Sequence, residues 1–439
     1  MRALIASVLV SIAATASAAD LHREVAERLG SELPSLGTFY RDIHQHPELS
    51  LMEARTATAA AREFRSAGFE VTEGVGGTGV VGVLRNGPGP VILIRSELDA
   101  LPIREETGLP FASTVVVKDL AGRDSPVDHA CGHDVHLTAL VGAARILSGL
   151  RARWSGTLVL VGQPAEETAA GAYAMLRDGL YTRFPRPNFA IALHIHGDSP
   201  AGTVSVLEGG ACANSDSVDI LVRGVGGHGA RPDMAKDPVV LASQIVVALQ
   251  TIVSRETKPG VAAVVTVGTF HGGTKRNVIP EQVKLELTVR SYDSAVAAHL
   301  LDSIRRISEN LGRAAGMPEN LLPVVTVTPE HTPVTYNDPA LARRLRGVLA
   351  DWLGTDRIIP GDPTTAGEDF AWFGRTTPPV PCCMWFVGAA DPAKCAESAR
   401  TGVPLPSNHS PYFAPDFDPT IRACVTSLCA GALDLLSSR

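Results

Sequence analysis

Apolar and polar positions alternate along the chain as short strands separated by helical stretches. Strand-like apolar runs bounded by Gly or Pro occur at 78–84, 90–96, 157–163 and 188–194, and a helix is predicted over 136–148. Strands separated in this way are typical of a mostly parallel sheet with helices on both faces. The first half of the chain therefore predicts an α/β domain.

The pattern changes after residue 212. Predicted strands and helices then follow in the order βαββα, at 216–224, 238–254, 262–273, 282–293 and 294–312, with a further strand at 323–330. This order predicts a compact α+β unit with antiparallel strands. The first pattern resumes with a helix at 339–353 and a strand at 380–388. We therefore predict one α/β domain, built from 19–212 and 332–439 and interrupted by a smaller α+β domain at 213–331.

The first 18 residues have the layout of a cleavable secretory signal peptide. Arg2 precedes an apolar run, and the segment ends on the small residues Ala16-Ser17-Ala18. We expect an exported protein, periplasmic or secreted. No later stretch of about 18 apolar residues is apparent in the sequence, so no membrane span is expected after cleavage.

The composition limits the kinds of molecule that the protein is expected to bind. Of the 439 residues, 45% are hydrophobic and 19% are charged, which is typical of a globular protein. The formal charge is −7 and Lys and Arg form no run, so we expect no nucleic-acid partner. Seven cysteines are too few for a disulfide scaffold, but five of them lie between 382 and 429 and leave a C-terminal disulfide open in an exported protein.

Residues that carry chemistry collect near the ends of the predicted strands and before the predicted helix. They are Asp99, Cys131, His133, Glu166, Glu167, His194 and, near the end of the chain, His409. The carboxyl ends of strands in an open α/β sheet form its ligand-binding edge. Each residue alone is more often structural. Thiolate, imidazole and carboxylate groups collected at one edge, however, suit zinc or a neighbouring transition metal.

The adjacent carboxylates Glu166 and Glu167 indicate a reaction. Two carboxylates at a strand end are commonly a solvated turn, but this pair follows an apolar strand and Gln163-Pro164. One carboxylate can bind a metal that lowers the pKa of water, while the other carries the proton to a leaving amine. This division of roles predicts amide hydrolysis.

Two glycine-rich stretches match the spacing of a dinucleotide-binding loop and are rejected. The stretch 74–79 is followed by a strand rather than a helix, and residues 230–237 separate the stretch 224–229 from its helix. The second stretch is better interpreted as a flexible loop that presents His228. No serine-hydrolase elbow and no phosphate-loop motif occurs in the sequence.

Ordered motifs across nearly the whole mature chain resemble a known enzyme family. They are Arg41-Asp42-Ile43-His44-Gln45-His46-Pro47-Glu48, Leu98-Asp99-Ala100-Leu101-Pro102, His129-Ala130-Cys131-Gly132-His133-Asp134, Gln163-Pro164-Ala165-Glu166-Glu167, Gly226-Gly227-His228-Gly229-Ala230-Arg231-Pro232, Asn277-Val278-Ile279-Pro280, Gly367-Glu368-Asp369-Phe370 and His409-Ser410-Pro411. The family is that of metal-dependent amidohydrolases and peptidases, which contains aminoacylases, carboxypeptidases, hippurate hydrolase and the plant hydrolases of indole-acetyl amino acids. The branch that looks most similar is that of hippurate hydrolase and the plant enzymes.

The resemblance implies a site for two divalent metal ions, zinc or else manganese, cobalt or nickel. The implied ligands are Cys131, His133, Glu167, His194 and His409, with Cys131 at the position where other branches have a bridging aspartate. Glu166 matches the general base and acid. Asp99 matches the carboxylate that orients a neighbouring group of the metal site.

The resemblance also implies a homodimer formed through the inserted domain. In this family the histidine that matches His228 reaches into the partner's active site and holds the developing oxyanion. Asn277 is implied to assist it, and Arg290 to bind the substrate carboxylate. These three residues would complete the substrate-binding part of the site.

A few positions stand apart from the ligand set. Glu97 lies where the branch usually has Asp and other branches have a histidine ligand, and His196 is an extra imidazole and the alternative ligand to His194. His44 and His46 belong to the motifs but are expected to be structural.

Together these features predict an exported, metal-dependent amidohydrolase. We expect it to cleave a hippurate-like N-acyl amino acid, or another N-acyl conjugate, into a carboxylate and a free amino acid. A dipeptidase or carboxypeptidase of the same family, acting on a short peptide, is the alternative. A periplasmic binding protein without turnover is more remote, because an α+β insert is unlike the second lobe of such a protein.

Overall fold

The computed structural model describes residues 18–437, so the predicted signal peptide lies, except for Ala18, outside the described residues. The helices are α1 Ala18–Gln45, α2 Ala54–Ser66, α3 His133–Gly149, α4 Gly171–Arg177, α5 Leu180–Arg183, α6 Pro238–Thr251, α7 Ser294–Ala314, α8 Pro339–Leu353, α9 Ala371–Gly374, α10 Pro392–Thr401 and α11 Phe417–Leu436. The strands are β1 Glu70–Val75, β2 Gly79–Asn86, β3 Val91–Glu97, β4 Val116–Lys118, β5 Asp124–Pro126, β6 Gly156–Gln163, β7 Phe189–Pro200, β8 Val204–Ser205, β9 Gly209–Cys212, β10 Ser215–Arg223, β11 Gly227–His228, β12 Ala263–Gly272, β13 Val278–Ile279, β14 Gln282–Ser291, β15 Val324–Thr332, β16 Thr335–Asn337 and β17 Cys382–Ala390.

Seven strands form the central sheet, in the order β1-β2-β6-β3-β7-β17-β8. Its middle strands β6, β3, β7 and β17 are parallel, which confirms the predicted α/β class. Both edges are antiparallel, so the sheet is mixed. The glycine-rich stretch 74–79 is the turn of the β1-β2 hairpin, which agrees with its rejection as a nucleotide loop.

Side chains of the central sheet alternate between two cores. On β3, Ile92 and Ile94 face the core that α1, α3, α8 and α11 complete, whereas Leu93 faces the core of α4, α5 and α9. Arg95 and Glu97 share the face of Leu93, because side chains along a strand alternate with a period of two. The polar end of β3 therefore lies on the face of α4, α5 and α9.

Four antiparallel strands form a second sheet, here called the insert sheet, in the order β12-β14-β10-β15. Helices α6 and α7 pack against it, so the predicted βαββα order with a final strand is confirmed. Helix α6 begins at the predicted residue: Pro238 is its first residue, and Asp237 Oδ1 accepts hydrogen bonds from the backbone N–H groups of Val239 and Val240.

Two helices correct the expectation that no later segment is apolar and long enough to cross a membrane. Pro238–Glu256, which is α6 with the π-helical turn Ile252–Glu256 that follows it, and Phe417–Leu436 both qualify by length and composition. Phe417–Leu436 is a core helix, with 78% of its apolar window buried, and it packs against α3 and α8. Pro238–Glu256 packs one face on the insert sheet and leaves Val240 and Val247 exposed, which is the one-sided burial of a helix at a domain surface.

All seven cysteines are free thiols in the structure, so the C-terminal disulfide that the sequence left open does not form there. Burial raises the pKa of the thiols of Cys382, Cys383, Cys424 and Cys429, and Cys395 is partly exposed. We therefore expect Cys395 to react with a thiol reagent well before these four in the native protein. All seven thiols should react after denaturation with a chelator present, and a lower count would reveal a disulfide.

Candidate active site

A cleft of about 650 Å³ opens at the carboxyl-terminal edge of the parallel strands, where residues of β7 and β17 and of the segment after β6 line it. On β7, Ala190 and Ala192 belong to the core of α4, α5 and α9, and His194 and His196 follow on the same face. In β17, Met384 and Phe386 lie next to them in parallel register. The sheet face that is an apolar core at one end thus becomes the polar cleft at the other.

The five predicted metal ligands lie together at this edge. Cys131 Sγ is 3.4 Å from His194 Nε2 and 3.3 Å from His409 Nε2. Glu167 Oε2 is 3.6 Å from His409 Nε2, and Glu167 Oε1 is 3.8 Å from His133 Nε2. Two groups of three donor atoms therefore share the Cys131 thiol, one completed by His133 and His194 and the other by Glu167 and His409.

Hydrogen bonds fix the ring orientation of two of the histidine ligands, the buried His133 and the partly buried His194. His133 Nδ1 lies 2.8 Å from the backbone oxygen of Asp99, and His194 Nδ1 lies 2.8 Å from the backbone oxygen of Ile195. Each Nδ1–H donates to a carbonyl, so each Nε2 carries the free lone pair and points into the space shared with Cys131. This is the arrangement that histidine ligands of metals adopt.

The predicted orienting role of Asp99 has a visible geometric basis. Its carboxylate is fully buried, with Oδ2 accepting hydrogen bonds from Ser50 Oγ at 2.7 Å and from the backbone N–H of Glu167 at 3.0 Å. Burial opposes ionisation, but the nearby His133 ring, with Nδ1 3.4 Å from Asp99 Oδ1, and the bond from Ser50 keep the pKa of Asp99 below its ordinary value. Asp99 thus holds both His133 and the backbone of Glu167 in place.

The backbone adopts left-handed conformations at several residues beside the proposed ligands. Gly132, between Cys131 and His133, has φ +87°, and a Cβ there would lie 2.4 Å from Ile195 Cδ1. Ala165 and His409 also adopt the left-handed region, with φ of 50° and 67°. Such conformations cost about 1–3 kcal/mol each and persist where neighbouring contacts fix them, as is common at active sites.

The proposed ligands bring a thiol and carboxyl groups close together. Burial raises the pKa of the Cys131 thiol, and the nearby carboxylates of Glu167 and Glu166 raise it further. Burial also raises the pKa of Glu167 to about 7, against the attraction of His133. Buried atoms of this set, His133 Nε2 and Glu167 Oε1, have no hydrogen-bond partner. Unpartnered donor atoms on a thiol, imidazole and carboxylate set fit divalent cations of the zinc class.

Glu166 lies beside the ligand set. Its Oε2 is 4.0 Å from His133 Nε2, and its side chain is nearly buried. Burial raises its pKa well above the ordinary value, and the carboxylates of Glu368 and Glu167 raise it further. A carboxyl group with a raised pKa is a stronger proton acceptor when ionised than an ordinary one, which suits a general base.

A buried arginine that the sequence did not single out supports this acidic region. Arg95 donates to Glu97, to Glu368 at 2.8 Å and to Asp369 at 3.0 Å, and its Nε donates to Gln163 at 2.8 Å. The guanidinium is fully buried, so it balances charge where water cannot. Among these partners Glu368 lines the cleft.

Glu97 and His196 have roles other than that of the ligand set. Glu97 gives one carboxylate oxygen to Arg95 and the other to His136 Nδ1, at 3.0 Å, so both oxygens are engaged. His136 Nε2 in turn accepts the backbone N–H of Ile195 at 2.9 Å. His196 stacks on Phe386 with 4.4 Å between ring centroids, whereas His194 is the imidazole that faces Cys131.

The residues predicted to bind substrate lie in two places. Arg290 is partly buried and lines the cleft, with one guanidinium nitrogen donating to the backbone oxygen of Thr365 at 3.0 Å. His228 on β11 and Asn277, just before β13, are exposed neighbours and do not line the cleft of their own chain. Within one chain the structure therefore unites six predicted groups, the five ligands and Glu166, with Arg290 in the same cleft.

Three further polar residues, to which the sequence assigned no role, hold the loops of the site. Asn408 Nδ2 donates to the backbone oxygens of Cys131 and Ile195, at 3.0 and 3.1 Å. Buried Glu53 accepts the N–H of Ala165, and Ser50 donates to Asp99. Asn408 stands beside a predicted ligand, but no local pattern marks Glu53 or Ser50, whose partners are distant in sequence.

An α/β sheet edge with paired donor sets and an adjacent carboxylate defines a metal-dependent hydrolase. Residues 93–401 match the model of peptidase family M20/M25/M40. The chain therefore belongs to this family, and it is an enzyme of the amidohydrolase and peptidase class. The resemblance inferred from the motifs is confirmed, whereas the role of each site residue stays a prediction.

Curated relatives and a solved structure show how far the similarity extends. The chain is 36% identical over 336 residues to hippurate hydrolase of Campylobacter jejuni, which covers 75% of this chain and 82% of that protein. It is 36% identical over 334 residues to N-acetyl-L-cysteine deacetylase of Bacillus subtilis, with 76% of each covered. The crystal structure of the Bacillus subtilis YXEP protein, described as a dinuclear metal binding peptidase from the M20 family, has a TM-score of 0.73, with 28% identity, 92% of this chain and 98% of that chain covered.

Proposed function

We propose that this enzyme hydrolyses the amide bond of N-acyl amino acids, using two divalent cations held by Cys131, His133, Glu167, His194 and His409. The observation that carries the proposal is the pair of donor groups that share the Cys131 thiol beside the nearly buried Glu166. Relatives named hippurate hydrolase and N-acetyl-L-cysteine deacetylase support an N-acyl amino acid as substrate.

The chemistry follows from the positions of the side chains. When bound, the two cations supply Lewis acidity, which polarises the amide carbonyl and makes water more acidic. Glu166 takes the proton of the attacking water and delivers it to the leaving nitrogen. Asp99 keeps His133 in the tautomer that leaves its Nε2 free.

Side chains of two kinds, one cationic and two apolar, line the cleft. Arg290 provides the cation that a free carboxylate would pair with, and Met384 and Phe386 provide an apolar wall for the acyl group. An N-acyl amino acid has both parts, a carboxylate and an acyl group flanking the amide. The cleft therefore contains groups suited to both parts of the proposed substrate.

Replacing Arg290 by Ala should raise KM for an N-acyl amino acid by about 10- to 100-fold, because a charge-assisted hydrogen bond contributes about 1.5–3 kcal/mol. The matched control is the corresponding N-acyl amine without a carboxylate, on which R290A and the parent enzyme should act equally. Steady-state kinetics on both compounds checks the prediction. Equal KM for the acid in both enzymes would remove Arg290 from the carboxylate site.

A peptidase acting on short peptides is the second candidate, supported by the peptidase description of the family. The substrate panel that separates the two contains N-acetyl, N-benzoyl and aminoacyl derivatives of the same amino acids. We expect the highest kcat/KM for a neutral acyl group. Preference for the free-amine dipeptides would instead establish the peptidase.

We also propose that two copies of the chain associate through the insert sheet. Among the described strands β12 pairs only with β14, so its other edge is open, and Phe270 on β12 is 40% exposed. The N–H of Ala230 donates to His228 Nδ1 at 3.1 Å, which leaves Nε2–H as a donor for an oxyanion in the partner's cleft.

Mixing two inactive variants tests the dimer and its shared site together. In a heterodimer of H228A and E166Q, one cleft would combine an intact Glu166 with an intact His228 from the other chain. Statistical mixing should restore about a quarter of the parent activity, because half of the dimers would carry one complete site. No recovery after verified subunit exchange would contradict the sharing of His228.

Export is proposed from the signal-like layout of the first 18 residues. Fractionation of the native host with measurement of the mature N-terminus tests it. We expect a chain that begins after Ala18 outside the cytoplasm, and an uncleaved cytoplasmic chain would contradict export.

A further inference from the structure

A second cluster of possible metal donors lies apart from the cleft, where helix α1 meets the loop before α3. Three side chains form it: His44 on α1, Glu105 on the loop after β3, and Asp128 three residues before Cys131. Their ligand atoms lie within 4.8 Å of one another. All three side chains are buried, with His44 2% and Asp128 1% exposed and the Glu105 side chain inaccessible.

The hydrogen bonds of His44 set the direction of its free nitrogen. His44 Nδ1 lies 2.7 Å from Asp134 Oδ2, and its Nε2 lies 3.3 Å from Glu105 Oε1. A neutral imidazole that donates from Nδ1 to Asp134 presents a lone pair at Nε2 to the carboxylate of Glu105. If Nε2 carries no proton, two acceptors face each other, and a cation between them satisfies both. The other partners of Glu105 are the Thr107 hydroxyl and the backbone N–H of Ser113. A carboxylate on the far nitrogen is the usual partner of a histidine that binds a metal.

Asp128 gives an independent observation at the same place. Its Oδ2 is buried and has no hydrogen-bond partner. Backbone hydrogen bonds with Leu101 in both directions fix Asp128 beside the loop that carries Glu105. A second proton on His44 would satisfy Glu105 but would leave Asp128 unpartnered. Burial of a carboxylate without a partner is unfavourable, whereas a shared cation pairs with all three groups.

The excess of buried negative charge around His44 also favours a bound cation. Glu105, Asp128 and Asp134 are three buried carboxylates around one imidazole. Neighbouring His129 is buried, and neither of its ring nitrogens has a hydrogen-bond partner among the described residues. Burial and the Glu105 carboxylate raise the pKa of Asp128 to about 7, which reflects the same excess of negative charge.

We infer that His44 Nε2, Glu105 and Asp128 bind a third divalent cation of the zinc or manganese class, separate from the pair in the cleft. One imidazole and two carboxylates are a donor set suited to such ions. The cation would join α1 to the loop that carries Cys131 and His133, and its role would be to hold that loop in place. This site does not depend on the substrate proposed above.

The test counts zinc in the full mature chain after loading with zinc and removal of the free metal. We expect three zinc ions per chain in the parent protein and two in D128N and in E105Q. The matched control is E106Q, which removes an adjacent but exposed carboxylate bonded to Tyr412 and should retain three. Two zinc ions in the parent protein, or three in both D128N and E105Q, would overturn the inference.

Anomalous scattering from zinc-loaded crystals of the parent protein gives a second measurement that needs no variant. We expect a peak between His44 and Asp128 in addition to the peaks around Cys131. A map with peaks only around Cys131 would overturn the third site and leave the proposed amide hydrolysis intact. A peak between His44 and Asp128 without peaks around Cys131 would support the third site and contradict the proposed pair of cations in the cleft.

Discussion

Glu166→Gln should lower kcat by about 10²- to 10⁴-fold, because it removes the group that moves the proton from water to the leaving nitrogen. The variant keeps a side chain of the same size and leaves all five proposed ligands in place. Its metal content should therefore equal that of the parent enzyme. The measurement is steady-state hydrolysis of an N-acyl amino acid together with elemental analysis of the same sample.

Glu330→Gln is the matched control for this variant. Glu330 also lines the cleft, but it is exposed and lies outside the donor groups around Cys131. Its kcat should stay within a few-fold of the parent value. Near-parent activity of E166Q with full metal content would remove Glu166 from the proton-transfer role, and a loss of metal would show that it acts as a ligand.

Arg95→Met should lower the free energy of unfolding by about 3–5 kcal/mol, the range found when one partner of a buried ion pair is removed. The substitution leaves Glu97, Glu368 and Asp369 buried without their shared cation. Urea unfolding followed by tryptophan fluorescence measures this loss. All four tryptophans, at 154, 352, 372 and 385, lie outside the insert, so the signal reports the α/β domain.

Arg85→Met, on the neighbouring strand β2, is the control for the loss of an arginine. Arg85 pairs with Glu70 at 3.0 Å, but the two side chains are 60% and 78% exposed. An exposed pair of this kind contributes about 0–1 kcal/mol. Equal destabilisation by R95M and R85M would mean that the buried carboxylates do not need Arg95 to balance their charge.

Helix boundaries were predictable from sequence where a capping signal is local. Helix α8 spans Pro339–Leu353 as predicted, and Asp338 accepts the N–H of Leu341 at its start. Helix α11 was not predicted. It begins at Phe417, just before Asp418-Pro419, but it is apolar on most sides and buried between α3, α8 and the central sheet. A segment without a polar face has no period that separates a helix from a strand.

The extent of β7 was also underestimated. The strand was expected to end at His194, but it continues to Pro200 and includes His196. Pairing with β17 extends it, since His194 pairs with Phe386 and His196 with Gly388. Strand pairing is a long-range contact, so the local sequence does not report it.

The candidate site divides in the same way. Short motifs located the five proposed ligands and Glu166, because each motif is a short contiguous stretch of sequence. Arg95 escaped prediction because its partner Glu368 lies 273 residues further along the chain. Only the folded sheet brings Arg95 and Glu368 together, so their pairing is visible in the structure but not in the local sequence.

Release of free amino acid from a panel of N-acyl amino acids, with and without a chelator, tests the central claim most directly. The purified mature protein should release the amino acid, lose this activity on chelation and regain it when zinc or manganese is supplied. Release that a chelator leaves unchanged would contradict the metal site. No release from any member of the panel, with either metal supplied, would contradict the proposed amide hydrolysis.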